Sequence, residues 1–223
     1  MMTSIVIPAF NEATMVASVV RAVKNKANQV IVVDDGSSDD TGQQAKRAGA
    51  IVLTHFLNRG QGAALQTGIN FALKSNADII VTFDADGQLN AEEIDKVVEP
   101  LILGGVDIVL GSRFLKPNSQ IPVAKRVVLK LAVWVTNLYT GLKLTDTHNG
   151  FRAMSRLAAE KIRIRQDGMA HASEILEQVK KYRLKFIEVP ITMYYTDYSI
   201  RKGQKLSNAF RIIWALIIDR VGR

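Results

Sequence analysis

Asp84-Ala85-Asp86-Gly87-Gln88 directly follows the apolar run Ile79-Ile80-Val81-Thr82-Phe83. Burying unpaired charge is costly, so a buried strand that ends on two carboxylates needs a reason. Two residues apart on a continuing strand, Asp84 and Asp86 would point the same way. At a strand end followed by Gly87 they can close on one small target. Like charges that near repel unless something positive lies between them, and a divalent metal is the first candidate. Asp84, Asp86 and Gln88 offer three oxygen ligands, which suits Mg2+ or Mn2+ bound with sites left for phosphate and water. The competing reading is a solvated turn in which Asp86 or Asn90 caps a helix beginning near Ala91.

The elements that must position these groups follow from hydrophobic periodicity. Residues 4–10, 29–33, 50–53, 78–83 and 107–110 read as strands. Residues 12–24, 41–48, 61–74 and 91–103 read as helices, the first with Met15, Val16, Val19, Val20 and Val23 at helical spacing. Apolar strands alternating with helices imply a parallel sheet covered on both faces. Ligands of such sheets bind beyond the carboxyl ends of the strands. Three strands end in polar or acidic groups: Asn11-Glu12, Asp34-Asp35 and Asp84-x-Asp86. All three are expected on one edge, whereas Asp39-Asp40 reads as a helix-capping pair.

The second half is less regular. Helices are expected at 123–138, 173–182 and 208–221, the last amphipathic with Phe210, Ile213, Trp214, Ile217 and Ile218. A strand at 185–189 stops at Pro190, and 192–195 is a candidate continuation. "TDTHNGFR", residues 145–152, reads as a polar loop, and "YTDYSIRKGQKLS" as a basic, aromatic one.

Composition narrows the function. The chain has 223 residues and no cysteine, which excludes disulfides and thiolate metal sites and suits a reducing compartment. The formal net charge of +8 is unevenly placed: residues 1–111 carry 8 Lys+Arg against 13 Asp+Glu, and residues 112–223 carry 21 against 8. A basic half suits phosphates on a lipid surface or a substrate. It lacks the reading helix or aromatic platform of a nucleic-acid binder. The first strand is followed by P-A-F-N-E, not G-x-G-x-x-G, and no G-x-x-x-x-G-K-[ST] occurs, which excludes dinucleotide and P-loop sites. "NRGQGAALQTG", residues 58–68, opens a helix; its glycines either aim backbone N–H groups at a phosphate or serve turn geometry and close packing. No signal peptide is expected, and the apolar stretch 212–218 falls far short of the ~20 residues that span a bilayer.

"IPAFNE", "VVDDGSSDDT", "NRGQGAALQTG", "DADGQ" and "GSRF", in this order, resemble family 2 glycosyltransferases of GT-A fold. "TDTHNGFRAMS" and "KGQKLSN" resemble, more loosely, the branch that glycosylates polyprenyl phosphates, the dolichol-phosphate mannosyltransferase-like enzymes. The usual family loop reads S-G-F/Y-R, where this chain has His148-Asn149-Gly150-Phe151-Arg152. The resemblance implies a Rossmann-like α/β single domain over residues 1–223, with a mainly parallel central sheet, helices on both faces and a C-terminal amphipathic helix. Residues 1–111 would be the nucleotide-sugar half and 112–223 the acceptor half.

By the same resemblance, Pro8, Ala9, Asn11 and Glu12 would lie along the nucleoside, and Asp34 or Asp35 would hold base or ribose. Asp84, Asp86 and Gln88 would form the metal and diphosphate site. Arg113 and Arg152 would face the acceptor phosphate, and Arg201 and Lys205 the donor diphosphate. The implied reaction moves a sugar, with inversion, from a UDP- or GDP-linked donor to a polyprenyl phosphate, using Mg2+ or Mn2+. The implied place is cytoplasmic, peripheral at the inner face of the plasma membrane, with either a separate small membrane protein or purely peripheral binding.

The chemistry agrees from below. Metal and arginine charge would stabilise a nucleoside diphosphate leaving group. A phosphate monoester acceptor, with a second pKa of about 6, needs no strong general base. A sugar-hydroxyl acceptor would need one; Asp86, Glu174 and His148 are the candidates. The alternatives are that same fold acting on a saccharide hydroxyl in cell-surface polysaccharide synthesis, and a non-catalytic nucleotide-sugar-binding subunit. The helices at 123–138 and 208–221 are candidate interfacial elements. Asp86→Ala is expected to abolish transfer and leave the fold intact; wild-type turnover by that variant would remove Asp86 from the site.

Overall fold

The computed structural model describes residues 1–115 and 123–194. Its centre is a seven-stranded sheet in the order β3-β2-β1-β4-β6-β5-β7. The strands are β1 (Thr3–Ala9), β2 (Gln29–Asp34), β3 (Ile51–Thr54), β4 (Ile79–Thr82), β5 (Ile108–Ser112), β6 (Arg152–Ser155) and β7 (Phe186–Pro190). β1 pairs in parallel with β2 and β4, β2 with β3, and β5 with β7. β6 is antiparallel to both β4 and β5. The helices are α1 (Val16–Val23), α2 (Thr41–Arg47), α3 (Gln61–Lys74), α4 (Ile94–Leu103), α5 (Val123–Thr140), α6 (Arg156–Lys161) and α7 (His171–Lys181).

The central strands are apolar throughout because both faces are covered. Ile5, Ile7, Val30 and Val32 point into one core with Val16, Val19, Val20 and Val23 of α1 and Ile94, Val97, Val98 and Leu101 of α4. Val6, Ile31 and Val33 point the opposite way, into a second core with Leu65, Ile69 and Ala72 of α3 and Ile175, Leu176 and Val179 of α7. This alternation is the period-two signature of a strand read on both faces. The parallel β1, β2 and β4 end on one edge, and β2 and β4 leave β1 on opposite sides. That is the point where an open α/β sheet forms a crevice.

The first half matches the sequence expectation element for element, with small shifts at the ends. α1 begins at Val16 rather than Glu12, because residues 12–15 form a turn in which the Glu12 carbonyl accepts from Met15 and Val16 N–H. Asn90 caps the short 3-10 turn Ala91–Glu93 by accepting from Glu92 N–H at 3.1 Å. The second half departs from expectation. Arg152, placed in a loop from the sequence, begins β6, and α6 follows it. β7 is not continued past Pro190; Met193 instead makes a single antiparallel bridge to Leu89. The sequence-predicted helix at 208–221, Arg201 and Lys205 lie outside the described residues.

α3 lies close against the sheet because Gly68 has no side chain. A Cβ there would sit 2.3 Å from Val6 Cγ1 and 3.2 Å from Val33 Cγ2. Val is stiff at χ1 and cannot swing aside. Gly68→Ala is therefore expected to destabilise the protein: overpacking costs about 1–3 kcal/mol, against a helix-propensity gain of about 1 kcal/mol. The check is the urea midpoint, which should fall; a midpoint at or above wild type would mean that α3 can lift off β1.

Candidate active site

The edge where β1, β2 and β4 end gathers the acids that the sequence singled out. Pro8 and Ala9 close β1 and are buried. Asn11 takes a left-handed conformation, φ 53°. Its N–H donates to Ser37 Oγ at 2.9 Å and its Oδ1 accepts from Ser38 N–H at 2.9 Å, so the β1 exit is stitched to the β2 exit. Glu12 N–H donates to Thr41 Oγ1 at 2.7 Å. Asp39 Oδ1 accepts from the N–H of Thr41, the first residue of α2, whereas Asp40, at the N-cap position, makes no side-chain cap bond, so of the expected pair Asp39 alone holds the helix start.

Asp34 and Asp35 are both nearly buried and already bind protein donors. Asp34 Oδ1 accepts from Ser37 N–H at 3.0 Å. Asp35 accepts from Arg59 N–H at 3.1 Å and Gly60 N–H at 2.6 Å, and lies 2.6 Å from His55 Nδ1. Asp35 thus fixes the loop that leads into α3. The N-terminus of α3 settles one open alternative. Gly62 and Ala63 N–H groups donate to the Asp167 carbonyl at 2.8 and 3.3 Å. A Cβ on Gly62 would stand 2.0 Å from Gln166 O. Gly60 and Gly62 therefore serve close packing against 166–168, and Asp167 occupies those two helix-terminal donors. The Gln61 side chain does reach the site, donating to Asp84 Oδ1 at 3.1 Å.

Asp84 and Asp86 lie on the turn after β4, with Gly87 at φ 71° reversing the chain. Asp86 Oδ1 accepts from Gln88 N–H at 3.0 Å, and Gln88 itself is only 5 % exposed. Asp84 is pushed up to about 7, first by burial and then by the Asp86 charge; Arg152 and Arg113 pull the other way. Gly150 leans directly on it: a Cβ there would be 2.6 Å from both Asp84 oxygens.

The cations come from the other half of the sheet. Because β6 runs against its neighbours, its first residue, Arg152, pairs with Thr82, the last residue of β4. Arg152 is 3 % exposed and is lowered to about 10 by burial, against the raising effect of Asp84 and Asp146. Arg113, just past β5, forms a two-pronged pair with Asp146: Nε to Oδ2 and Nη2 to Oδ1, each 2.7 Å, with Arg113 N–H adding a bond at 3.1 Å. Burial alone would raise Asp146, but the Arg113 charge and hydrogen bonds hold it below the ordinary carboxylate range. Glu188 on β7 fixes the loop by accepting from Thr145 and Asp146 N–H groups at 2.9–3.0 Å. Sequence reasoning named Arg113 and Arg152 but missed Asp146, Gly150 and Gln61. All three lie in stretches it had quoted, yet only the paired strands show what they face.

Two of the candidate bases change character. His148 is lowered to about 4, chiefly by burial, so its imidazole is neutral at pH 7. Glu174 is engaged elsewhere, accepting from Arg165 and Gln166 N–H groups at 2.9 Å. His171, which the sequence did not single out, is likewise lowered to about 4 by burial and by Arg152.

The donor set at Asp84 and Asp86 fits a divalent cation. It is all oxygen, and the mutual repulsion that helps push Asp84 to about 7 is what a hard cation relieves. Among the described residues no group of three or more His, Asp or Glu side chains is placed to hold a metal ion. The remaining ligands would come from Gln88, from water and from a bound phosphate.

The family model of glycosyl transferase family 2 matches residues 4–163. The chain belongs to glycosyl transferase family 2. An uncharacterised protein of Methanocaldococcus jannaschii is 40% identical over 222 residues, covering 97% of this chain and 91% of that one. The UDP-N-acetylglucosamine–dolichyl-phosphate N-acetylglucosaminyltransferase of Methanococcus voltae is 34% identical, covering 98% and 96%. Glucosyl-3-phosphoglycerate synthase from Mycobacterium tuberculosis, solved with Mn2+, UDP and phosphoglyceric acid, superposes with a TM-score of 0.76 at 20% identity, covering 99% of this chain and 78% of that one. At that identity the likeness is one of fold, and the fold is the GT-A arrangement that the resemblance implied.

The glycosyltransferase carries a pH signature at Asp84. Free of metal, the folded chain keeps a proton there up to about pH 7, while an unfolded chain releases it near 4. The native state therefore binds more protons between about pH 4 and 7, and this contribution to stability falls as pH rises through that window. Asp84→Asn has no charge to bury. In EDTA its Tm is expected to exceed wild type by several degrees at pH 8 and to converge with it near pH 4.5. Equal melting curves at both pH values would show that Asp84 ionises without strain.

Proposed function

We propose that this glycosyltransferase moves a sugar from a UDP- or GDP-linked donor to a polyprenyl phosphate, with inversion, and that it uses Mg2+ or Mn2+. The observation that carries the reading is the pairing across one crevice of two opposed charge sets: Asp84 and Asp86 at the end of β4, and the buried guanidinium groups of Arg113 and Arg152 beside them. The similarity to a dolichyl-phosphate N-acetylglucosaminyltransferase over nearly the whole of both chains supports the acceptor class.

Each role follows from chemistry at that edge. Pro8, Ala9, Asn11, Glu12, Asp34 and Asp35 line the exits of β1 and β2, where the nucleoside is assigned. Asp84, Asp86 and Gln88 would hold the cation, which when bound supplies positive charge for the diphosphate leaving group. Arg113, oriented by Asp146, and Arg152 hold the acceptor phosphate. Its oxygen attacks the anomeric carbon from the face opposite the leaving group; the C–O bond to the nucleoside diphosphate breaks as the new C–O bond forms. The acceptor is already ionised near pH 7, and His148 and Glu174 make poor bases where they stand. Arg201 and Lys205 complete the donor assignment from sequence.

A lipid acceptor requires a membrane surface. Val127, Leu131, Trp134 and Leu138 recur every three or four residues along α5 and are exposed, while Ala132, Thr136 and Thr140 are buried. Arg126 and Lys130 are exposed on the same helix, so α5 suits an interfacial position against anionic headgroups. Among the described residues no helix is long and apolar enough to cross a membrane. We assign the protein to the inner face of the plasma membrane, bound peripherally or through a small membrane protein.

The test is transfer of radiolabelled sugar from a panel of UDP- and GDP-sugars into an organic-extractable product with undecaprenyl or dolichyl phosphate. Mn2+ or Mg2+ should support it and EDTA should reduce it at least 100-fold. Label moving only into an added oligosaccharide would shift the acceptor to a hydroxyl and reopen the search for a base.

A further inference from the structure

We propose that Glu93 is a positioning residue for the acidic turn, acting through the short strap of residues 191–194. The strap lies between two parts of the site. On one side Ile191 N–H donates to Ser112 O at 3.0 Å, at the end of β5 and directly before Arg113. Arg113 Nη1 also lies 3.8 Å from Met193 Sδ. On the other side Met193 bridges Leu89, and Tyr194 N–H donates to Gln88 O at 2.8 Å. The strap thus ties the exit of β5 to the turn that carries Asp84, Asp86 and Gln88.

Main-chain bonds hold the strap at Ile191 and Tyr194, and Glu93 adds a third fixed point between them. Its carboxylate is nearly buried, 6 % exposed, and accepts from Thr192 N–H at 2.6 Å and from Thr192 Oγ1 at 3.3 Å. A charged acceptor on a backbone N–H is about twice as strong as a neutral one. Lys96 Nζ, 2.7 Å from Oε1, balances the charge. Glu93 ends the 3-10 turn that Asn90 caps, so the same short segment sets both the acidic turn and the grip on Thr192. Residues that orient a metal site from behind typically change affinity 10–100-fold when removed.

This inference rests on the reading that Asp84 and Asp86 hold a divalent cation. The test is Mn2+ affinity of the full chain, measured by the electron paramagnetic resonance of free Mn2+, beside melting temperature and steady-state kinetics. Glu93→Ala is expected to weaken Mn2+ about 10-fold or more and to raise KM for the nucleotide sugar more than it lowers kcat at saturating Mn2+. Glu93→Gln keeps an oxygen for Thr192 N–H and should recover most of that loss, within about threefold of wild type. Lys96→Ala should leave Mn2+ affinity unchanged. A folded Glu93→Ala that melts lower but binds Mn2+ like wild type overturns the proposal and leaves Glu93 merely structural. Where Glu93→Ala does not fold, Glu93→Asp, one methylene too short to hold Thr192 N–H, takes its place: a severalfold loss of Mn2+ affinity with Glu93→Gln near wild type supports the proposal, and Glu93→Asp binding Mn2+ like wild type overturns it. A wild-type chain that binds no Mn2+ overturns it together with the metal reading.

Discussion

Two carboxylates share one turn at the end of a buried strand, and the surrounding structure is arranged around the repulsion between them. The cost is visible in Asp84, pushed up to about 7 by burial and by Asp86. It is offset in part by Arg152, brought up by a strand that runs the wrong way for the sheet, and by Arg113, held by Asp146. The offset is incomplete: with both arginines in place Asp84 still stands well above the ordinary carboxylate range. Strain of this kind is a usual mark of a functional site.

The loops around this turn are fixed by a common device. Acidic side chains from one element accept backbone N–H groups of another. Asp35 holds residues 59–60, Asp39 holds 13 and 41, Glu174 holds 165–166, Glu188 holds 145–146 and Glu93 holds 192. Each bond satisfies donors that an irregular segment could not otherwise pair. It also means that acids on this edge divide between two duties. Asp34 and Asp35 spend lone pairs on the scaffold, whereas Asp84 and Asp86 carry the excess charge.

The first half was legible because its signals agree. Apolar runs, caps and alternation all point to βα units, and the polar strand exits then fall on one edge by topology alone. The second half hid its most consequential element. β6 has only four residues, of which Ala153 and Met154 are apolar, too short for periodicity to register. Its partners are fixed by burial between β4 and β5 rather than by its own pattern. The Arg113–Asp146 pair was likewise invisible, since nothing in "TDTHNGFR" says which cation it meets. The glycines of residues 58–68 read equally as anion cradle or close packing; the Asp167 carbonyl decides for Gly60 and Gly62, and the sheet for Gly68.

The place of β6 in the sheet has a consequence for how such enzymes diversify. It lies between β4 and β5, so the stretch that delivers Arg152 and Gly150 to the acidic turn is itself an interior strand, paired on both sides. The basic side of the crevice is therefore woven in rather than appended. Exchanging it would replace an interior strand of the sheet and reset the electrostatics of Asp84 in the same stroke. Side chains at the rim of the crevice can change without that cost, because none of them carries a ladder of the sheet.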